Sequence, residues 1–172
     1  GYHASNRASS SAGMTLRFAT TSPLINVNFK EDLTYADAIF YHDLAIYKNG
    51  VFVSNSNEFT FSLENPNQDL TEWEFVMPVY TQMNLESIEI VDGHSISTPS
   101  ITNKPIYVAI GNSITMGVGT TQNGSYLSYP YLVADSLGYE LYNWGIGGSK
   151  IYSNVMSNFD TGLTPDLITV LW

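Results

Sequence analysis

Cysteine is absent from this 172-residue sequence. That excludes disulfides, a cysteine nucleophile and thiolate-bound metal together, and leaves the redox compartment open. Positive charge is scarce: Lys and Arg total 6 against 16 Asp and Glu, a net charge of −10. Such a surface has no basic patch to neutralise phosphates, so nucleic acid and anionic membrane are poor partners. No run of about 18 apolar residues is long enough to span a bilayer, and no basic-then-apolar leader precedes the first strand pattern. No His-x-His or His-Glu-x-x-His spacing occurs, so neither a metal nor another cofactor is expected.

With charge so limited, Asn, Ser, Thr and Tyr must supply much of the polar surface, a mixture suited to hydroxyl-rich ligands such as sugars. At 44% hydrophobic and 13% aromatic, the chain can fold as one domain or two small ones. Residues 1–13 are rich in Ser, Ala and Asn without periodicity, and are expected to form a mobile or loosely docked arm. From Met14 to Ser97 the pattern alternates with period two, as strands with one buried face do. Ile25, Val27 and Phe29 share one face, against Asn26, Asn28 and Lys30 on the other. Asp43–Tyr47 leads through Lys48-Asn49-Gly50 into Val51–Val53, and Asn-Gly supplies the positive φ angles of a tight hairpin. Glu58–Leu63, Thr71–Met77 and Ser87–Val91 complete a set of short strands that predicts a β-sandwich over 14–97.

Twelve of the sixteen acids precede residue 100, where most belong on solvated strand faces. Asp69, Glu72 and Glu74 lie close together but lack the glycine turn of a calcium loop. Residues 98–105, with Pro99 and Pro105 among small polar residues, read as a linker. Beyond them the periodicity changes. Ile106–Ile110 is a short apolar strand, Tyr131–Leu137 has helical spacing with Pro130 at its start and Gly138 as its stop, and Tyr139–Trp144 is a strand. A helix is expected from about Ser149 to Asn158, then an apolar strand Leu167–Trp172. Alternating strand and helix predicts crossover connections and a parallel sheet. Three strands and two helices make a small core with an open final strand, so residues 106–172 are expected to be part of a domain, and self-association through the strand near Trp172 is a further expectation.

The chemistry concentrates at two strand ends. Val108-Ala109-Ile110-Gly111-Asn112-Ser113 breaks a strand at a glycine and presents a hydroxyl just past it. Asn143-Trp144-Gly145-Ile146-Gly147-Gly148 breaks a second strand into a loop whose amides can face the same point. Open parallel sheets bind ligands at the carboxyl ends of their strands, and a serine nucleophile needs a base and preset amide donors for the oxyanion. A dinucleotide loop lacks its full Gly-x-Gly-x-x-Gly spacing here, a P-loop lacks its Gly-Lys-Ser/Thr, and the α/β-hydrolase elbow would need glycine at Thr115.

The paired segments resemble the SGNH, or GDSL-type, hydrolases. Gly111-Asn112-Ser113 matches that family's Gly-Asp-Ser block except at Asn112, and Asn143-x-Gly145-x-x-Gly148 matches its second block in full. The resemblance implies a serine esterase with Ser113 as nucleophile, the amides of Ser113 and Gly145 as oxyanion hole, and Gly111, Asn112, Asn143 and Gly148 supporting the site loops. Upstream, Arg17–Pro23 and His42–Tyr47 are similar to the β-rich domain with a Gly-x-Asp-Leu-Tyr motif that precedes some bacterial esterases of this kind, matched in register at Asp43 and Leu44. The implied fold is a jelly-roll-like β-sandwich followed by the first half of a three-layer α/β/α SGNH domain. The implied substrate is an acetyl or other short acyl ester on a small molecule or polysaccharide, and the implied location is secreted or periplasmic in a bacterium.

The family's Gly-x-Asn-Asp and Asp-x-x-His blocks have no match, and His3, His42 and His94 all lie in the arm or the β-rich region. The chain alone is therefore expected to be inactive. The competing reading is a non-catalytic carbohydrate-binding or adhesion module, with Trp73, Tyr80, Phe52 and Tyr41 stacking on sugar rings. Aromatics at period two are more often sandwich core.

Overall fold

A computed structural model describes residues 10–34, 43–100, 103–121, 124–148 and 162–171. Eight strands come first: β1 (Thr15–Thr20), β2 (Leu24–Thr34), β3 (Leu44–Lys48), β4 (Val51–Ser56), β5 (Thr60–Glu64), β6 (Thr71–Val76), β7 (Thr81–Ile90) and β8 (Ile96–Ser97). They form two antiparallel sheets, ordered β4-β3-β6-β1-β8 and β5-β2-β7. Phe18, Ile25, Val27, Phe29, Leu44, Ile46, Leu63, Trp73 and Phe75 from both sheets pack into one core. The alternation of β2 places Ile25 and Val27 fully inside it while Lys30 is exposed, because successive side chains of a strand point to opposite faces.

The hairpin between β3 and β4 turns at Asn49 and Gly50, with φ of 51° and 77°. Both angles are positive, as a two-residue turn of this hand requires. Asn49 also ties the turn sideways to β6, its amide donating to the Glu72 carbonyl at 2.8 Å and its Oδ1 accepting the Glu72 amide at 2.9 Å.

Two sequence expectations need correction. Strand β7 begins at Thr81, not Ser87. A register shift opposite Asn28 and Phe29 moves its inward side chains from Met83 to Ile88 and Ile90, all three of which pack on the core. The extra residue breaks period two, so the first half of the strand does not read in phase with the second. The arm also ends sooner than expected. Ser11 is buried, its amide donates to the Thr81 carbonyl at 2.8 Å, and its Oγ accepts the Met83 amide at 2.9 Å. Residues 10–13 are thus part of the fold.

After β8 the pairing changes from antiparallel to parallel. Strands β9 (Ile106–Gly111), β10 (Glu140–Gly145) and β11 (Leu167–Val170) lie in the order β10-β9-β11, with both neighbours of β9 parallel to it. Helix α1 (Ser113–Met116) follows β9, and a 3-10 turn (Ser125–Leu127) leads into α2 (Tyr129–Leu137). Helix α2 starts two residues before its apolar spacing does, because the Ser128 hydroxyl caps it by accepting the Tyr131 amide. It stops at Gly138, whose φ of 72° supplies the left-handed cap. Its Ala134 packs with Tyr107 and Ala109 against one sheet face. The helix expected at Ser149–Asn158 lies outside the described residues.

The two parts of the chain are pressed together. Ala45 and Val76 of the sandwich pack with Tyr126, Leu127 and Tyr131, and the Phe52 ring stacks on Tyr126 at 5.7 Å. The Ser125 hydroxyl donates to the Met77 carbonyl. Arg17 on β1 holds Glu140 on β10 with two bonds from Nη1, at 3.0 and 2.8 Å, and Glu74 on β6 through Nη2 at 3.1 Å. Burial works against the Arg17 charge, but its bonds with and attraction to the two carboxylates outweigh that and raise its pKa above the usual value. Arg17→Met leaves Glu74 and Glu140 facing each other without a cation. A loss of about 1–2 kcal/mol in urea unfolding is expected, less than for a fully buried pair because all three side chains keep some solvent; an unchanged midpoint would make the triad incidental.

Candidate functional site

The strand ends carrying the two glycine motifs lie side by side. Gly145 is the direct partner of Gly111 in the β10–β9 ladder, and the Ile146 amide extends the pairing to the Gly111 carbonyl at 3.1 Å. At Gly111 the chain leaves the sheet so sharply that a Cβ there would fall 2.0 Å from Thr115 Oγ1 and 2.9 Å from Thr115 Cβ. Asn112 then caps α1: its Oδ1 accepts the Ile114 amide at 3.0 Å and its carbonyl the Met116 amide at 3.1 Å. Asparagine performs this turn as aspartate would, since a neutral side-chain oxygen caps as well as a charged one.

Ser113 is therefore the first residue of a single helical turn, half-buried. Its carbonyl accepts from Gly117 and Val118 at the turn's far end. Neither its amide nor its hydroxyl has a hydrogen-bond partner among the described residues, which is the normal state of a first-turn N–H. An unengaged hydroxyl and an unengaged amide on one residue are what attack and oxyanion stabilisation require of it.

Asn143, the first residue of the second motif, bonds to both segments. Its Nδ2 donates to the Thr115 carbonyl at 2.9 Å and its Oδ1 accepts the Gly145 amide at 2.9 Å. One carboxamide thus joins the helix carrying Ser113 to the loop start at Gly145. The second oxyanion donor expected from the sequence is accordingly engaged; an oxyanion must share the Gly145 amide with Asn143 or displace it. Gly145 is glycine for a reason of space, because a Cβ there would lie 2.3 Å from the Met116 nitrogen and 2.8 Å from the Thr115 carbonyl carbon. Gly148 is exposed with φ of 74°, and the chain directly after it is outside the described residues.

Two supports were not read from the sequence. Thr115 is fully buried and its Oγ1 meets the Tyr129 hydroxyl at 3.1 Å, tying α1 to the first turn of α2. Met116 is buried against Val79 and Tyr80 of the sandwich. A buried Thr in a one-turn helix has no periodicity to betray it.

The described residues place no base at Ser113. His94 bonds through Nδ1 to the Thr21 hydroxyl at 2.9 Å, within the sandwich; His3 and His42 are outside the described residues. Asp166 accepts the Ile106 amide at 2.8 Å, at the opposite end of the parallel strands from Ser113. A cleft of about 610 Å³ bordered by Arg17, Glu72, Lys104 and Glu140 also lies towards that opposite end and includes neither Ser113 nor Gly145.

Among the described residues no group of three or more His, Asp and Glu is arranged to hold a metal. Of the acids Asp69, Glu72 and Glu74, the last two serve other ends. Glu72 takes the Ser100 amide at 2.8 Å, and hydrogen bonding from Ser100 lowers its pKa; Glu74 pairs with Arg17. No described helix is long and apolar enough to cross a membrane. Among the described residues the sugar-stacking row of the competing reading is not formed. Trp73 and Tyr80 are buried, Phe52 is partly exposed but stacks on Tyr126, and Tyr41 is outside the described residues. Of the four, Trp73 went to the sandwich core.

No family model and no curated protein matches the chain. Solved structures do. A GDSL-like lipase from Bacteroides ovatus superposes with a TM-score of 0.74 over 99% of this chain and 54% of its own, at 20% identity. The chain shares that structure's fold. A family two carbohydrate esterase from Clostridium thermocellum, solved with cellohexaose, matches 94% of the chain and 59% of its own length at TM-score 0.68 and 11% identity. The salicylyl-acyltransferase SsfX3 of a tetracycline biosynthetic pathway matches 95% and 48% at 0.73 and 17% identity. The chain thus spans about half the length of these esterase and acyltransferase structures, and the likeness runs through both the antiparallel and the parallel parts.

Proposed function

We propose that this chain carries the nucleophile half of an SGNH-type serine esterase that removes acetyl or other short acyl groups from carbohydrate. The observation that carries the proposal is the coupling of Ser113 to Gly145: adjacent strand ends, in register, joined through Asn143. In this reading the Ser113 hydroxyl attacks the ester carbonyl and forms the acyl-enzyme, and the alcohol leaves. The Ser113 amide and a shared Gly145 amide hold the oxyanion, and water then releases the acid. The carbohydrate side of the proposal is supported by the esterase neighbours and by an acidic surface poor in cations. It places the protein where polysaccharide is found, secreted or periplasmic.

Proton transfer from Ser113 needs a base that no described residue offers. The proposal therefore includes that residues 1–172 alone turn over esters no faster than binding and oxyanion contacts allow. Assaying this chain beside a longer polypeptide that supplies the remainder of the hydrolase domain, on an aryl acetate, tests it. Turnover is expected from the longer protein only. Robust turnover by residues 1–172 would overturn the half-site reading, and none from either would overturn the esterase.

A further inference from the structure

Residues Ser11–Met14 form a tight turn closed by the Met14 amide on the Ser11 carbonyl at 2.9 Å. Gly13 stands third in it with φ of 75°, the place in such a turn where a positive φ makes glycine the natural residue. Both ends are pinned to the sandwich. Ser11 bonds to Thr81 and Met83 at the start of β7, and the Met14 carbonyl accepts the Met77 amide at 2.9 Å, just beyond β6. Ala12 between them packs with Val79, Tyr80 and Met116. The apex of the turn then meets the site, since a Cβ on Gly13 would lie 2.7 Å from Asn143 Cβ.

Asn143 is the residue whose carboxamide joins the Thr115 carbonyl to the Gly145 amide. Its Cβ sits on the backbone of β10 and cannot swing aside as the end of a long side chain would. The sandwich therefore reaches the nucleophile's surroundings twice, through Val79 and Tyr80 on Met116 and through Gly13 on Asn143. We propose that the Ser11–Met14 turn is a strut that positions Asn143, and through it sets the Gly145 amide against the Ser113 helix. The proposal rests on the reading of Ser113 as nucleophile for its catalytic consequence, but not for its geometry. Gly13 is a positioning residue and touches no reacting atom.

Two glycines separate the contact from ordinary backbone strain. Gly50 has φ of 77°, close to that of Gly13, yet a Cβ on it would meet nothing within 4 Å. Gly13→Ala and Gly50→Ala thus pay a similar conformational penalty, and only the first presses on Asn143. Amide hydrogen exchange is followed in the 172-residue chain, and kcat and KM on an aryl acetate in the longer polypeptide.

Gly13→Ala is expected to speed exchange of the Gly145 amide on the order of tenfold or more, and to lower kcat on the order of 10- to 100-fold with KM little changed. Gly50→Ala is expected to lower the melting temperature comparably and leave the Gly145 amide and kcat as they were. Ser11→Ala removes the Oγ bond to Met83 without adding an atom; it should shift Gly145 exchange in the same direction and decides the matter if Gly13→Ala does not fold. Wild-type exchange at Gly145 in the variant that folds, or an equal change in Gly50→Ala, would overturn the strut. Absence of esterase turnover in the wild type would sink the catalytic reading alone, because the exchange comparison still decides the strut.

Discussion

Ser113→Ala is expected to lower ester turnover in the longer polypeptide on the order of 10⁴-fold or more, leaving only the residual catalysis of binding and oxyanion contacts. The change should cost almost no stability, within about 0.5 kcal/mol. The hydroxyl it removes has no partner among the described residues, and the helical turn is held by Asn112, Gly117 and Asn143 rather than by Ser113's own side chain. That combination of a large kinetic loss with an unmoved unfolding midpoint distinguishes a nucleophile from a structural serine. A variant that keeps its kcat would remove Ser113 from the mechanism whatever its position in the fold.

The second large effect belongs to Gly145, and there stability and activity should fall together. An alanine Cβ would sit 2.3 Å from the Met116 nitrogen and 2.8 Å from both the Met116 Cα and the Thr115 carbonyl carbon. All three are backbone atoms of a turn clamped by Asn143, so none can rotate away. Either β10 or α1 must shift. Overpacking of this kind costs about 1–3 kcal/mol, and a displacement near 1 Å between Ser113 and the Gly145 amide costs on the order of 10²-fold in rate. Gly138→Ala is the contrasting control, because its φ of 72° gives the added methyl a conformational penalty that the strand backbone at Gly145 does not carry, while nothing lies within 4 Å of it. Denaturant unfolding and kcat of both variants check the prediction. Gly145→Ala should lose both properties and Gly138→Ala only about 1 kcal/mol of stability; equal behaviour would mean that the clash is relieved at no cost to the site.

Those two residues also show how far local pattern carries. Ser113 and Gly145 stand out in the sequence because one follows a strand that breaks at Gly111, the other is the glycine at which a second strand breaks, and the two short segments match as a pair. The Asn49-Gly50 hairpin, the Gly138 stop and the buried face of β2 were legible on the same ground, each depending on neighbours in the chain. The first half of β7 was not, because its side chains change phase at a bulge set by the partner strand. The docking of residues 10–13 was not legible for a related reason. Ser-Ala-Gly has no periodicity, and what orders it is hydrogen bonding to Thr81 and Met83, some seventy positions away.

The engagement of the Gly145 amide belongs to the same class. Asn143 is visible as part of a motif, but that its oxygen takes the Gly145 N–H while its nitrogen takes the Thr115 carbonyl depends on where α1 lies over β10. The burial of Trp73 likewise depends on the faces of two sheets meeting, and that of Tyr80 on its packing with Val79 and Met116.

The sequence by itself determined that this is a cysteine-free, acidic chain with an antiparallel-type first part and a strand-and-helix second part, and it singled out Ser113 and Gly145 as the residues to consider. Periodicity, turn chemistry and short motifs are properties of neighbouring residues, and they survive without coordinates. Only the tertiary structure decided that Gly111 and Gly145 lie side by side, that Asn143 links them to the Ser113 turn, and that the Ser11–Met14 turn and the sandwich rest on that linkage. Those are distances between segments far apart in the chain, and they are set by how sheets stack and where backbones come too close for a side chain.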